Sequence, residues 1–169
     1  PYQGTELENL GKGDGYCRRQ VEGWDARFEK AKTINVPSFK YVRKWLEDNI
    51  PADSKTCLIH NDWRFDNVIL DPNHPTQIIG VLDWEMATLG DPLMDLGSAL
   101  AYWVEESDSA LFKATRRQPT NLKGMFTRKE VVDYYLEKTG LDVENWTFYE
   151  VFGIFRLAVI AQQIYYRYH

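Results

Sequence analysis

Cysteine is scarce in this chain. Cys17 and Cys57 are the only two, and neither sits in a CxxC spacing. A zinc knuckle or a disulfide framework needs clustered cysteines, so neither is indicated, and a reducing, cytoplasmic setting is the expectation. Histidine is as sparse, at three residues, which leaves no cluster for a zinc-type centre. No apolar run approaches the ~18 residues of a membrane span, and the polar opening, Pro1 to Gly15, contains no signal-peptide apolar stretch. Basic residues do not dominate: 20 Lys and Arg stand against 25 Asp and Glu, for a net charge of −5 and a pI near 5.2. That is the reverse of the basic face a nucleic-acid binder carries. There are no internal repeats and no low-complexity segment. What is there suffices for one domain with a real core: 169 residues, 44% hydrophobic and 14% aromatic.

The periodicity reads as a mainly helical α+β chain. Val21, Trp24, Phe28 and Ala31 mark a helix from Tyr16 to about Lys32. "NVPSFKYVRKWLEDNIP" predicts a second, with Pro37 in its first turn, Pro51 as its stop, and Phe39, Val42, Trp45 and Leu46 as its buried face. Three short extended runs follow, Cys57–His60, Asn67–Leu70 and Thr76–Trp84, with turn chemistry in "DPNHP" between the last two. Asp91 is placed as an N-cap with Pro92 at the first helical position, and the stripe Leu93, Leu96, Leu100 carries on to Trp103 or Val104. Residues 105–126 are polar and give no clear element. Thr127 and Glu130 form a capping box for a helix ending at Gly140, and "WTFYEVFGIFRLAVIAQQIYYRY" is a long apolar helix expected at the centre of the core. The picture is a small β-hairpin ribbon laid on a helical body.

The ribbon carries the chemistry. In "LIHNDWRFDNVIL", Asp62 lies two residues after His60 and Asn67 seven after it, giving H-x-D-x-x-x-x-N, the spacing of a kinase catalytic loop. The run "IIGVLD" then ends on Asp83, where kinases keep a magnesium-binding aspartate. Phosphoryl transfer needs this set: hard oxygen donors for Mg²⁺ and a carboxylate facing the acceptor hydroxyl. The plain alternative is a hairpin with a solvated turn, because loops rich in Asp and Asn between strands are common.

"LIHNDWRFDNVILDP" followed by "IIGVLDWEMATLGDPLMDLG" resembles the aminoglycoside phosphotransferase and choline kinase-like family, and most closely its branch that occurs alone or fused to acyl-CoA dehydrogenases. The likeness covers Thr56 to about Trp103, and "YCRRQVEGWDARF" resembles the helix leading into that family's substrate lobe. The resemblance implies the C-terminal, substrate-binding lobe of a protein-kinase-like fold and an ATP-dependent phosphotransferase acting on a small-molecule hydroxyl. It implies Asp62 as the catalytic base, Asn67 and Asp83 as Mg²⁺ ligands, Asp95 as the aspartate supporting the loop, and His60 as loop scaffold. Arg64 would neutralise phosphate or hold a structural ion pair. Asp66 and Glu85 are loop carboxylates without an assigned task. Asn61 departs from the glycine common at its position, and Trp84-Glu85 from the Phe-Gly of protein kinases.

No glycine-rich phosphate loop after a strand and no strand lysine stands upstream. Gly11, Gly13 and Gly15 precede a helix without a strand before them, so residues 1–15 read as an interlobe linker. The chain begins without methionine and closes on "QQIYYRYH" without a helix stop. The expectation is therefore a piece, residues 1–169, of a longer protein. It would lack its nucleotide-binding lobe, be truncated at its C-terminal end, and be inactive by itself. The donor would be ATP or another nucleoside triphosphate with Mg²⁺, and the partner a small molecule rather than nucleic acid or membrane. Rival readings are a catalytically inactive kinase-like binding module and the same fold acting on another acceptor. A serine hydrolase is excluded by the lack of G-x-S-x-G and of any serine near His60. The aromatics Trp146, Phe148, Tyr149, Phe152, Phe155 and Tyr165 would suit a choline-like cation, against core packing as the plainer role.

Overall fold

The computed structural model describes residues 2–169. Helix α1, Tyr16–Ala31, buries the predicted stripe of Val21, Trp24, Phe28 and Ala31. Its N-cap, Gly15, offers no side chain. The Asp53 carboxylate replaces it, accepting the N–H groups of Gly15, Tyr16 and Cys17 at 2.6, 2.8 and 2.9 Å. Those are orphan donors at the positive end of the helix dipole, so a carboxylate suits them.

Helix α2 is shorter than predicted. It runs Lys40–Asp48, and Phe39 before it takes a left-handed conformation at φ 49°. Pro37 therefore lies outside the helix rather than in its first turn. The Phe39 ring packs on Phe28, with centroids 5.4 Å apart, and this tertiary contact outweighs the local start signal. Of the expected face, Leu46 alone is fully buried; Phe39, Val42 and Trp45 pack partly against the core.

The ribbon differs from the expected single hairpin. Strand β1, Cys57–Ile59, is followed by β2, Val68–Leu70, then β3, Ile78–Val81, and a fourth strand, β4, Thr88–Gly90. They form two separate antiparallel pairs, β1 with β4 and β2 with β3. Cys57 lies opposite Gly90 and Ile59 opposite Thr88; Val68 lies opposite Val81, with an irregularity near Leu70. "LIHNDWRFDNVIL" is therefore no hairpin. It leaves one ladder and enters another, so its polar stretch bridges two sheets. The "DPNHP" turn forms as its chemistry suggests, Asp71 Oδ1 accepting the N–H groups of Asn73 and His74 at 2.7 and 3.1 Å.

Helix α3, Pro92–Leu100, starts on the predicted cap, Asp91 accepting from Leu93 and Met94. It stops before Trp103, and Val104 is tied instead to Thr120, whose hydroxyl accepts the Val104 N–H and donates to the Val104 carbonyl. A short α4, Ala110–Ala114, lies within the stretch that gave no clear element. Helix α5, Arg128–Thr139, has the full capping box and ends on left-handed Gly140. Helix α6, Trp146–Tyr168, crosses α3 and α1, and its Phe148, Tyr149, Phe152 and Phe155 join the central cluster with Phe28, Leu46 and Leu93. Core packing thus accounts for these four aromatics; Trp146 packs partly against the cluster, whereas Tyr165 is exposed, its hydroxyl accepting from Asn35 Nδ2 at 3.1 Å. No helix among the described residues is long and apolar enough to cross a membrane.

Candidate active site

Strand β1 delivers His60 to the edge of the body, and the loop from His60 to Asn67 is fastened from behind by α3. Asp95 accepts the His60 N–H through Oδ2 and the Asn61 N–H through Oδ1, both at 2.9 Å. Burial pushes Asp95 up from the usual carboxylate range, and these two N–H groups, with the charge of Arg156, oppose that rise. His60 is 4% exposed. Its Nε2 lies 2.8 Å from the Leu82 carbonyl and its Nδ1 accepts the Asp62 N–H at 3.2 Å. The ring is thereby fixed as the Nε2–H tautomer, packed 4.8 Å from the Trp84 ring. It holds the loop to the segment carrying Asp83.

Asn67 is buried. Its Nδ2 donates to the Asp62 carbonyl at 2.8 Å and to Asp62 Oδ2 at 3.3 Å, which orients the Asp62 carboxylate. The Leu82 N–H donates to the Asn67 carbonyl at 2.8 Å, so Asp83, the next residue, follows directly beside Asn67. Asp83 is left-handed at φ 61° and ψ 53°. That conformation ends β3 and starts the Trp84–Met86 turn, cutting short the extended run predicted to Trp84. These bonds link the loop carrying Asp62 and Asn67 to the residue immediately before Asp83.

The acidic groups of the molecule divide by what their oxygens do. Asp91 takes N–H groups from Leu93 and Met94 on Oδ1 and from Ser54 on Oδ2. Asp53 caps α1, and Asp95 holds the loop. By contrast, the Asn67 Oδ1 and both Asp83 carboxylate oxygens accept no hydrogen bond from any described residue. These hard, available oxygens match the donor set of a magnesium ion. One other cluster, Cys17 with Asp53 and Asp91, draws its ligand atoms within 4.8 Å of one another. Its carboxylates are already committed to backbone N–H groups, and burial pushes the Cys17 thiol far up. These two carboxylates cap α1 and α3, so the cluster reads as structural.

Arg64 pairs with Asp66, and its guanidinium lies 5.8 Å from the Tyr102 ring centre. Asp66 therefore serves as its counter-ion, while Glu85 stays exposed in the turn after Asp83. Asp62 borders a shallow notch together with Arg64, Tyr102 and Arg156. Behind the loop, a cavity of about 420 Å³ is lined by Trp63, Trp84, Trp103 and Tyr135. Two loop contacts lay beyond the reach of sequence reasoning. Gln118, in the polar stretch, accepts the Phe65 N–H at 2.9 Å. Arg156, on the long helix, donates to the Asn61 carbonyl at 3.0 Å. Neither residue type nor spacing in the sequence signals either contact.

Comparison with known proteins adds three findings. The family model described as "Phosphotransferase enzyme family" matches residues 1–130. Among curated proteins, acyl-CoA dehydrogenase family member 10 of Mus musculus is 36% identical over 167 residues, covering 98% of this chain and 15% of that protein. Acyl-CoA dehydrogenase family member 11 of Homo sapiens is 33% identical, covering 98% of this chain and 21% of that protein. The chain thus spans between 15% and 21% of these relatives' length. A solved structure from Ralstonia eutropha, named "putative aminoglycoside phosphotransferase", superposes with a TM-score of 0.81 at 29% identity, covering 98% of this chain and 50% of that one.

Proposed function

The chain belongs to the phosphotransferase enzyme family, and from that premise we propose a specific chemistry for it. It is the substrate-side lobe of an enzyme that transfers the γ-phosphoryl group of ATP, or of another nucleoside triphosphate, to a hydroxyl of a small molecule. The observation that carries this reading is the pair of uncommitted oxygen donors, Asn67 Oδ1 and the Asp83 carboxylate, on segments joined by the Leu82–Asn67 hydrogen bond, with Asn67 itself orienting Asp62. A solvated turn would have no use for a buried asparagine that spends its N–H groups on one aspartate.

In this mechanism Asn67 and Asp83 would hold Mg²⁺, which supplies charge neutralisation on the phosphates. Asp62 accepts the proton of the acceptor hydroxyl as that oxygen attacks phosphorus, and the nucleoside diphosphate leaves. His60 and Asp95 keep Asp62 aimed by fixing the backbone on either side of Asn61. A nucleotide-binding lobe would sit over the β2–β3 ribbon. Ile69, Leu70, Ile78, Ile79 and Leu82 there are 43–55% exposed, an apolar surface that favours a covering domain. The free thiols Cys17 and Cys57 suit a reducing, cytoplasmic compartment, and the acidic surface suits a small-molecule acceptor rather than nucleic acid or membrane.

The test is Asp62→Asn in the full-length protein, assayed for Mg²⁺-dependent phosphoryl transfer. Removal of a general base lowers kcat by about 10²–10⁴-fold and leaves the KM for ATP nearly unchanged. A variant with near-wild-type kcat would remove Asp62 from the mechanism.

A further inference from the structure

Resting on that reading, we propose that Arg156 is a positioning residue for the reaction: it aims Asp62 by gripping the carbonyl of Asn61 from the long helix α6. Asn61 immediately precedes Asp62 and sits in the left-handed region at φ 65°, a conformation that a residue other than glycine holds only when its surroundings enforce it. Every polar group of Asn61 is held by a different segment. Its N–H goes to Asp95 on α3 at 2.9 Å. Its Nδ2 donates to the Met86 carbonyl at 3.0 Å, and its Oδ1 accepts the Tyr16 hydroxyl of α1 at 3.1 Å. Burial pushes that phenol up to about 12, so it stays a donor at neutral pH. Its carbonyl takes the Arg156 guanidinium at 3.0 Å.

Of these ties, the one from Arg156 acts on the peptide unit that joins Asn61 to Asp62. That peptide plane sets the direction in which Asp62 leaves the loop. Arg156 is itself held in place, its guanidinium 5.2 Å from the Trp24 ring centre. It has no carboxylate within ion-pair distance among the described residues, so its charge is not engaged in a stabilising salt bridge. A planar, permanently charged fork on a rigid helix suits the task of fixing a carbonyl. Geometry errors of about 1 Å at a reacting group can cost about 10²-fold in rate.

The experiment uses the full-length protein, with Arg156→Met made alone and on the Asp62→Asn background. The expected result is a kcat lowered roughly 10–100-fold by R156M, with the KM for ATP shifted less than about twofold. On the D62N background the same change should cost nothing further, because a residue acting through Asp62 has nothing left to aim. Wild-type kcat in R156M, or a loss that multiplies fully with that of D62N, overturns the proposal while D62N itself still supports the phosphotransfer reading. Near-wild-type kcat in D62N sinks that reading instead. Should R156M not fold, as judged by thermal unfolding, Arg156→Gln replaces it. Glutamine is polar but too short to reach the Asn61 carbonyl, and the same outcomes decide.

Discussion

Substituting Gly153 by alanine tests whether the crossing of α3 and α6 is as close as the backbone implies. A Cβ built on Gly153 would stand 2.2 Å from the Gly97 carbonyl oxygen and 2.7 Å from its carbon. Ordinary carbon–oxygen contact is about 3.3 Å, so the helices must part by roughly 1 Å. The obstacle is backbone, not the end of a flexible side chain, which places the cost near the upper end of overpacking penalties, about 3 kcal/mol. Alanine returns about 1 kcal/mol of helix propensity over glycine. The net is a loss of about 2 kcal/mol, or roughly 4–8 °C in Tm for a domain of this size. Gly23 in α1 is the control. There a Cβ meets only Arg27 Nη1 at 3.2 Å, a side-chain end that can move, so Gly23→Ala should hold or raise Tm. Thermal unfolding followed by circular dichroism reads both. A Gly153→Ala Tm within about 1 °C of wild type, or an equal drop in Gly23→Ala, refutes the close-contact argument. Because α3 also carries Asp95, phosphoryl transfer should weaken alongside stability in the first variant only.

Asp83→Asn in the full-length protein should raise the Mg²⁺ concentration for half-maximal activity by about tenfold or more, since an anionic ligand becomes neutral; an unchanged Mg²⁺ titration would take Asp83 out of the metal site. Asp108 tests a structural ion pair: Arg128 grips both its oxygens, at 2.8 and 2.7 Å, and chiefly by these bonds holds the carboxyl below its usual range. A depressed folded-state value stabilises the fold above the unfolded carboxyl's pKa of about 3.9 and loses that stabilisation as pH falls through the folded value. Asp108→Asn should therefore lower Tm at pH 7 and converge with wild type only as the pH falls through the depressed folded-state value, below the unfolded carboxyl's about 3.9, whereas a gap that persists into strong acid would mean the pair is not what the mutation disturbs.

The parts of this molecule that were legible in the sequence are those fixed by short-range chemistry. The Asp91-Pro92 start, the Thr127–Glu130 box and the Gly140 stop each need only a few neighbouring residues, and each forms as written. The spacing of His60, Asp62 and Asn67 likewise put three polar groups in one loop. Where a distant contact decides, local signals fail. Phe39 abandons the helix that Pro37 announces in order to pack on Phe28. Strand β4 is three residues long and exists because β1 pairs with it across the whole ribbon; nothing within "TLG" marks it. The site follows the same division. Asp95 could be named because it stands in a recognisable D-P-x-x-D pattern, but Arg156 lies 95 residues from Asn61, on a helix whose apolar pattern reads as core. Asn61 itself shows why such contacts matter. In isolation it is a worse choice than glycine for a left-handed position, because its Cβ crowds the backbone. In the fold, its side chain bonds Tyr16 and Met86, two segments that a glycine could not reach. What looks in sequence like a departure from the family's glycine is, in three dimensions, an exchange of backbone ease for two fixed points next to Asp62.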